Sequence, residues 1–285
     1  MKEEIFQDFL KNDFQDGWFY NGDMVSIGVL GKIQNNGGIK GDIVEIGVYK
    51  GKSFSFFSHL IKDNEKLFGY DLFEENNYEA TQLSMENYGA KVDYELIKTN
   101  TSDLDISDIK NKIKNCNIRF LHIDAGHEYF EVLHSLRLFS PFVKDTGIIV
   151  MDDYQDPEFP GIEAAVLDFC EIDRPRRFIP FFSGQNKIYL TTKFNSNLYQ
   201  KLMITNDNFK NKSRLSIVRD FSILKGFSKL PTKNDELIEQ IDEFDSNYLQ
   251  INSKDITDCK IRAKYFSQLK FGNSKYINEI SKKDT

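Results

Sequence analysis

Tryptophan occurs once in this 285-residue chain, cysteine three times, histidine four times and proline six times. Cys116, Cys170 and Cys259 are odd in number and far apart. That excludes a disulfide framework and a zinc knuckle, and predicts reduced thiols that pack as small hydrophobes. No apolar run approaches the roughly 18 residues of a membrane helix. The opening Met1-Lys2-Glu3-Glu4-Ile5-Phe6 is acidic and lacks a signal-peptide core. The expectation is a cytoplasmic protein without a membrane span. Basic residues are outnumbered, 37 Lys and Arg against 44 Asp and Glu, for a net charge of -7. This excess of acid argues against nucleic acid or an anionic membrane as partner.

The composition is that of a globular protein, with 40% hydrophobic and 28% charged residues. At about 150 residues per domain, the length allows one large domain, or one domain with an extension. From 40 to 194 short apolar runs alternate with amphipathic stretches. Ile43–Gly47, Lys66–Asp71, Tyr94–Thr99, Ile118–Asp124 and Gly147–Asp153 read as buried strands. Ser53 is placed to cap the helix that follows the first. Arg177–Phe182 and Lys187–Thr192 read as a closing hairpin. Repeated strand-helix units predict an α/β fold: a Rossmann-like, mostly parallel, seven-stranded sheet with helices on both faces. Residues 1–39 are expected to form a helical lead-in. Residues 195–285, rich in Lys, Asn, Asp and Ser, are expected to form a polar, helical C-terminal appendage, with amphipathic stretches at Leu215–Leu224 and Leu237–Phe244.

The loop after the first strand, Gly47-Val48-Tyr49-Lys50-Gly51-Lys52-Ser53, is close to two phosphate-binding motifs and matches neither. A P-loop needs four residues between its glycine and the Gly-Lys-Ser triplet, and this loop has three. The dinucleotide fingerprint needs Gly-x-Gly, and Tyr49 stands at the second glycine. A third reading uses the flanks. Gly47 and Gly51 allow the backbone close to a ligand. Glu45 precedes the loop, and Asp71 at the next strand end is placed to accept hydrogen bonds from two ribose hydroxyls. The pattern Val-Glu-Ile-Gly-x-Tyr-x-Gly-Lys-Ser resembles the first motif of class I S-adenosylmethionine-dependent methyltransferases.

In open α/β sheets ligands bind beyond the carboxyl ends of the strands. There the sequence puts Asp124, in Ile123-Asp124-Ala125-Gly126-His127-Glu128-Tyr129, and the pair Asp152-Asp153. Adjacent parallel strands lie about 4.8 Å apart, so these acids can converge. Three convergent carboxylates call for a cation, and an all-oxygen set suits Mg²⁺, Mn²⁺ or Ca²⁺ better than zinc. With Gly17-Trp18-Phe19 and Asp152-Asp153-Tyr154, the chain from about 15 to 194 resembles the macrocin-type, sugar O-methyltransferase-like branch of that class. This chain has Ala125-Gly126 where many members carry Gly-Asp. The resemblance implies a divalent metal on Asp124, Asp152 and Asp153. It implies cofactor contacts from Glu45, Gly47, Tyr49, Gly51, Ser53, Asp71, Thr101, Ser102 and Asp124. The acceptor would be a hydroxylated small molecule such as a nucleotide-linked or glycan sugar.

Asp124 and His127 are the candidate bases for an in-line methyl transfer to oxygen. His59, His122 and His134 fall inside a helix, a strand and a helix, and read as structural. The aromatic segments Phe73–Tyr78 and Tyr154–Phe159 are candidates for walls of the acceptor site. Other readings stay open: a nucleotide-dependent phosphotransferase, an N-methyltransferase acting on an amino sugar, and a binding subunit without chemistry. A homo-oligomer is also left open.

Overall fold

The computed structural model describes residues 9, 17–113, 117–172, 177–229 and 231–251, with side chains as far as Asp242. Cys116, Cys259 and most of the stretch before Gly17 lie outside the described residues. Cys170 is a buried free thiol. Strands β1 (Asp42–Ile46), β2 (Leu67–Asp71), β3 (Tyr94–Lys98), β4 (Ile118–Ile123) and β5 (Val143–Met151) form the parallel part of one sheet. Strands β6 (Phe178–Ser183) and β7 (Ile188–Thr192) close it as a hairpin, with β7 antiparallel to β5.

The helices are α1 (Asn21–Asn36), α2 (Lys52–Ser58), α3 (Asn77–Tyr88), α4 (Ile106–Lys112), α5 (Tyr129–Phe139), α6 (Pro160–Ile172), α7 (Lys193–Ile204) and α8 (Asn234–Ile251). Strand alternation separates two cores. Val44, Ile46, Leu121 and Ile123 pack with Val132, Leu136 and Ile162 on one face. Ile43, Phe120, Ile148 and Val150 pack with Leu30, Phe54, Phe57 and Met203 on the other. The central strands β1 and β4 are buried throughout, which is why most of their residues are apolar on both faces.

Among the described residues the sheet has nine strands, in the order β3-β2-β1-β4-β5-β7-β6-β9-β8, where seven were expected. The additional strands β8 (Arg214–Val218) and β9 (Phe221–Lys225) lie in the stretch expected to be helical. They form an antiparallel hairpin across Arg219-Asp220, with Arg219 at φ 51°, and β9 adds in parallel to β6. Within Leu215–Leu224 the apolar residues Leu215, Ile217, Phe221 and Ile223 alternate. That period-2 pattern, either side of a two-residue turn, outweighs a helical reading of a short window. The other expected stretch is helical: Leu237 and Ile241, four apart on α8, are both buried.

One polar element sits inside this frame. Arg119 on β4 is fully buried and pairs with Glu65 at 2.9 Å, while its guanidinium also donates to Gln34 Oε1 on α1 at 2.9 Å and to the Gly41 carbonyl at 3.1 Å. It ties α1, the approach to β1 and the turn before β2 to the central strand. Removing one partner of such a buried pair strands the other charge. Arg119→Met is therefore expected to destabilise the fold by roughly 3–5 kcal/mol, measured by urea unfolding monitored by circular dichroism.

Candidate active site

The strand order reverses between β1 and β4, and a cleft of about 790 Å³ opens at their carboxyl ends. Its floor is the loop after β1. Gly47 has φ +83°, and a Cβ there would lie 1.8 Å from the Asp124 carbonyl oxygen, so only glycine lets the loop pass β4 so closely. Gly51, at φ +85°, is the N-cap of α2. The helix thus starts at Lys52 rather than being capped by Ser53, which lines the cleft instead. Tyr49 also takes a left-handed conformation, φ 51°.

Asp71 holds this loop. Its Oδ2 accepts from the backbone N–H groups of Val48 at 2.7 Å and Tyr49 at 2.8 Å, and its Oδ1 accepts from Phe73 N–H at 2.6 Å. Two amides that a P-loop would aim at phosphate are thereby satisfied by a carboxylate, which weakens the phosphotransferase reading. A carboxylate has about four lone-pair positions, so three accepted bonds leave room for a ligand hydroxyl. Thr99, Asn100, Thr101 and Ser102 line the cleft beyond Asp71, with Asn100 Oδ1 capping their turn through Ser102 N–H at 3.0 Å. His134 reaches the Thr101 carbonyl at 3.1 Å and His59 the Tyr88 carbonyl at 2.7 Å, so both support backbone.

Gly47, Tyr49, Ser53, Asp71, Thr101, Ser102, Asp124, His127, Asp152 and Asp153 all line one cleft. Glu45 and Gly51 are not among its lining residues. Glu45 is fully buried in β1, opposite His122 in the β1–β4 register, and its Oε1 lies 2.8 Å from His122 Nδ1. Strand alternation explains this: Ile46 faces the core on one side of the sheet, and Glu45 faces the other.

The acids converge as the strand ends suggested. Asp153, at φ 52°, donates its N–H to Asp152 Oδ1 at 2.8 Å. Its own carboxylate lies 3.2 Å from His127 Nε2 and accepts from Asn186 Nδ2 at 3.3 Å. The His127 ring stacks on Phe159, with centroids 4.1 Å apart and planes 17° apart, so the imidazole is held from two sides. Gly126 turns the chain into His127 at φ +68°, where a Cβ would press on Glu131, so the departure from Gly-Asp has a local cause.

Two buried features of the site escaped the sequence reading. Lys187, at the start of β7, is 1% exposed and its ammonium is ion-paired with Asp152 Oδ2. Asp23 on α1 is buried beside it, its Oδ1 accepting from Gln185 N–H at 3.3 Å. At the mouth of the cleft, Trp18 is 78% exposed and stacks on Tyr49 with centroids 6.1 Å apart. The expected aromatic walls are fewer than the sequence suggested. Phe159 lines the cleft, whereas Phe73 and Tyr154 are buried in the cores.

Charge follows from this packing. Burial, then Asp152, push the Asp124 carboxyl well above the ordinary carboxylate range. Burial and Asp152 also raise Asp153. Burial opposes ionisation of Asp152, yet Lys187 and then His122 hold it below the ordinary value. Burial likewise opposes the Lys187 charge, but Asp152, Asp124 and Asp23 outweigh it and raise its pKa.

As a fit to a divalent ion the cluster divides. Asp124, His127 and Asp153 present ligand atoms within 4.8 Å of one another, as do His122, Asp124 and Asp152. The expected set of Asp124, Asp152 and Asp153 does not stand as three free carboxylates, because Lys187 already sits on Asp152.

Residues 44–154 match the model of a family described as a methyltransferase domain. An uncharacterised protein of Acanthamoeba polyphaga mimivirus is 33% identical over 137 residues, covering 44% of this chain and 59% of its own length. This chain therefore spans little more than half of that relative. Among solved structures, the O-methyltransferase NovP is 16% identical, covering 67% of this chain and 88% of its own, with a TM-score of 0.49. An O-methyltransferase from Bacillus cereus, solved with SAH, is 14% identical, covering 68% and 92%, with a TM-score of 0.47.

Burial lifts the Asp23 carboxyl to about 6 from 3.8, with Asp152 adding to the rise and Lys187 opposing it. The folded state thus prefers this group protonated. Its stabilising contribution is complete below the unfolded value of 3.8 and is lost as pH rises to about 6. Urea unfolding across this window is expected to show wild type losing up to about 3 kcal/mol relative to Asp23→Asn.

Proposed function

We propose that this chain, whose residues 44–154 match a methyltransferase-domain family, is an S-adenosylmethionine-dependent O-methyltransferase acting on a hydroxylated small molecule, with a nucleotide-linked or glycan sugar as the acceptor class. The observation that carries the proposal is the cleft itself, in which the Gly47–Ser53 loop, Asp71, Asp124 and His127 face one space. It is cytoplasmic in this reading, and its partners are small molecules rather than nucleic acid. Among the described residues no helix is long and apolar enough to cross a membrane.

The cleft suits the cofactor in three respects. A Cβ at Gly47 would fill the space where the loop meets β4. Asp71 keeps acceptor capacity for a ribose hydroxyl after binding the loop. Ile46, Leu72 and Ala125 offer apolar surface, and Thr101 and Ser102 offer polar atoms, for the base. Tyr49 and Ser53 contribute from the loop side, and Gly51 serves by shaping the loop. Glu45 enters the proposal as a support beneath the loop, through His122. S-adenosylmethionine supplies the methyl group.

The chain's own part is to orient an acceptor hydroxyl and remove its proton. His127 is the base in this proposal. Asp153 holds one ring nitrogen and Phe159 fixes the ring plane, an arrangement that orients the imidazole and stabilises the charge it gains. Asp124 stands beside it in the cleft, and its raised pKa suits hydrogen bonding to the acceptor oxygen in its neutral form. Much of the rate would come from positioning.

A second reading adds a divalent ion such as Mg²⁺, favoured by the convergence of Asp124, His127 and Asp153. Held there by Asp124, His127 and Asp153, the ion would lower the pKa of the acceptor hydroxyl, and His127 would no longer be free to act as the base. Its test is turnover in EDTA: loss, and recovery with Mg²⁺, favours this reading, whereas unchanged turnover favours the His127 base.

Calorimetric titration with S-adenosylhomocysteine is expected to show one site in wild type and at least a hundredfold weaker binding in Asp71→Ala. Absence of binding by wild type sinks the proposal. In a screen of nucleotide sugars read by mass spectrometry for methyl addition, His127→Ala is expected to lower turnover by about 10²–10⁴-fold, with S-adenosylhomocysteine affinity within about twofold of wild type. If the variant turns over at the wild-type rate, His127 is not the base.

A further inference from the structure

The inner side of the acidic cluster has the make-up of a metal site with a lysine in it. His122, Asp124 and Asp152 bring ligand atoms within 4.8 Å of one another. His122 and Asp152 are 0% and 3% exposed. His122 Nδ1 faces Glu45, and its Nε2 has no hydrogen-bond partner among the described residues. Asp124 is half-buried at the cleft beside His122 and Asp152, and an ionised Asp152 at this depth requires a cation, since burying uncompensated charge costs several kcal/mol per ion. The cation present is the Lys187 ammonium on Asp152 Oδ2.

Lys187 is anchored for this task. Gly184 N–H donates to the Lys187 carbonyl at 2.9 Å, and Tyr154 N–H donates to the Asn186 carbonyl at 2.8 Å, so the β6–β7 turn is tied across its own base and to the end of β5. Gln185 fastens the same turn to α1, its Oε1 accepting from Gly22 N–H at 3.2 Å. The backbone that carries the ammonium is therefore fixed, and the side chain is enclosed at 1% exposure.

We infer that Lys187 is the resident cation of this site. Its ammonium takes the position at Asp152 that a divalent ion would occupy in a three-carboxylate site, makes Asp152 a positioning residue that holds the Asp153 N–H, and restricts any divalent ion to the outer group of Asp124, His127 and Asp153. The inference rests on the proposed site only for its setting, because metal binding is read without cofactor or acceptor.

The test is a Mn²⁺ titration of the full chain followed by electron paramagnetic resonance, with S-adenosylhomocysteine binding measured separately on the same samples. Lys187→Met, which keeps an unbranched side chain one atom shorter and removes the charge, is expected to bind Mn²⁺ at least tenfold more tightly than wild type. The gain is expected to vanish in Lys187→Met/Asp152→Asn. In the wild-type background Asp152→Asn is expected to leave Mn²⁺ affinity within about twofold. Lys187→Met with wild-type affinity, or tenfold weaker Mn²⁺ binding in Asp152→Asn, overturns the inference. If Lys187→Met folds only with Mn²⁺ present, the inference is supported directly. If it does not fold at all, the double variant, which no longer strands a carboxylate, is expected to fold, and failure of both overturns the role. Loss of S-adenosylhomocysteine binding by wild type would instead strike the proposed function and leave the Mn²⁺ result standing.

Discussion

One buried ammonium, that of Lys187, compensates the acidic cluster at the base of the cleft. Lys187 pairs with Asp152, and Asp124 and Asp23 add to the field that keeps it charged. These groups come from α1, the ends of β4 and β5, and the β6–β7 turn, so one electrostatic requirement joins four elements around the base of the cleft. Without the lysine a buried, ionised Asp152 would have no compensating charge. With it, Asp152 is ionised and rigid, and can fix the left-handed backbone of Asp153 through a single N–H. Asp153 in turn holds His127.

The same logic of compensation runs through the cofactor side of the cleft. Asp71 is a ligand-facing acid, but most of its hydrogen-bonding capacity goes to the loop after β1. Ordering that loop costs backbone entropy, with Gly47, Tyr49 and Gly51 all in left-handed conformations. The carboxylate offsets part of this cost with three charge-assisted bonds. On the opposite side of the sheet Glu45 and His122, and below them Arg119 and Glu65, place paired polar groups in otherwise apolar layers. Each of these two buried pairs has at least one member on β1 or β4, the strands that flank the cleft.

Much of this was legible along the chain, for reasons visible at particular residues. Ile118–Ile123 and Ile43–Ile46 are mostly apolar because both faces of these strands are covered, and Arg119, His122 and Glu45 interrupt them only as members of buried pairs. Acids directly after such runs had to meet at one end of a parallel sheet, and Asp71, Asp124, Asp152 and Asp153 do. The hairpin β8–β9 was hidden because a ten-residue window over Leu215–Leu224 carries enough apolar residues for either period. Lys187 gave no signal, since a lysine at a strand start is ordinarily solvated, and Asp23 looked like a first-turn acid on α1, a common surface feature.

Local chemistry in the sequence therefore determined the strand-helix alternation, the glycine loop, and which acids stand at strand ends, because each depends on residues adjacent in the chain. Only the tertiary structure decided how those acids are neutralised and which way they face. Glu45 turned inward because strand alternation and register set it against His122. Asp152 took a lysine as partner because the β6–β7 turn folds back over the end of β5. Charge compensation acts through space, and a chain read from end to end contains the charges without the distances between them.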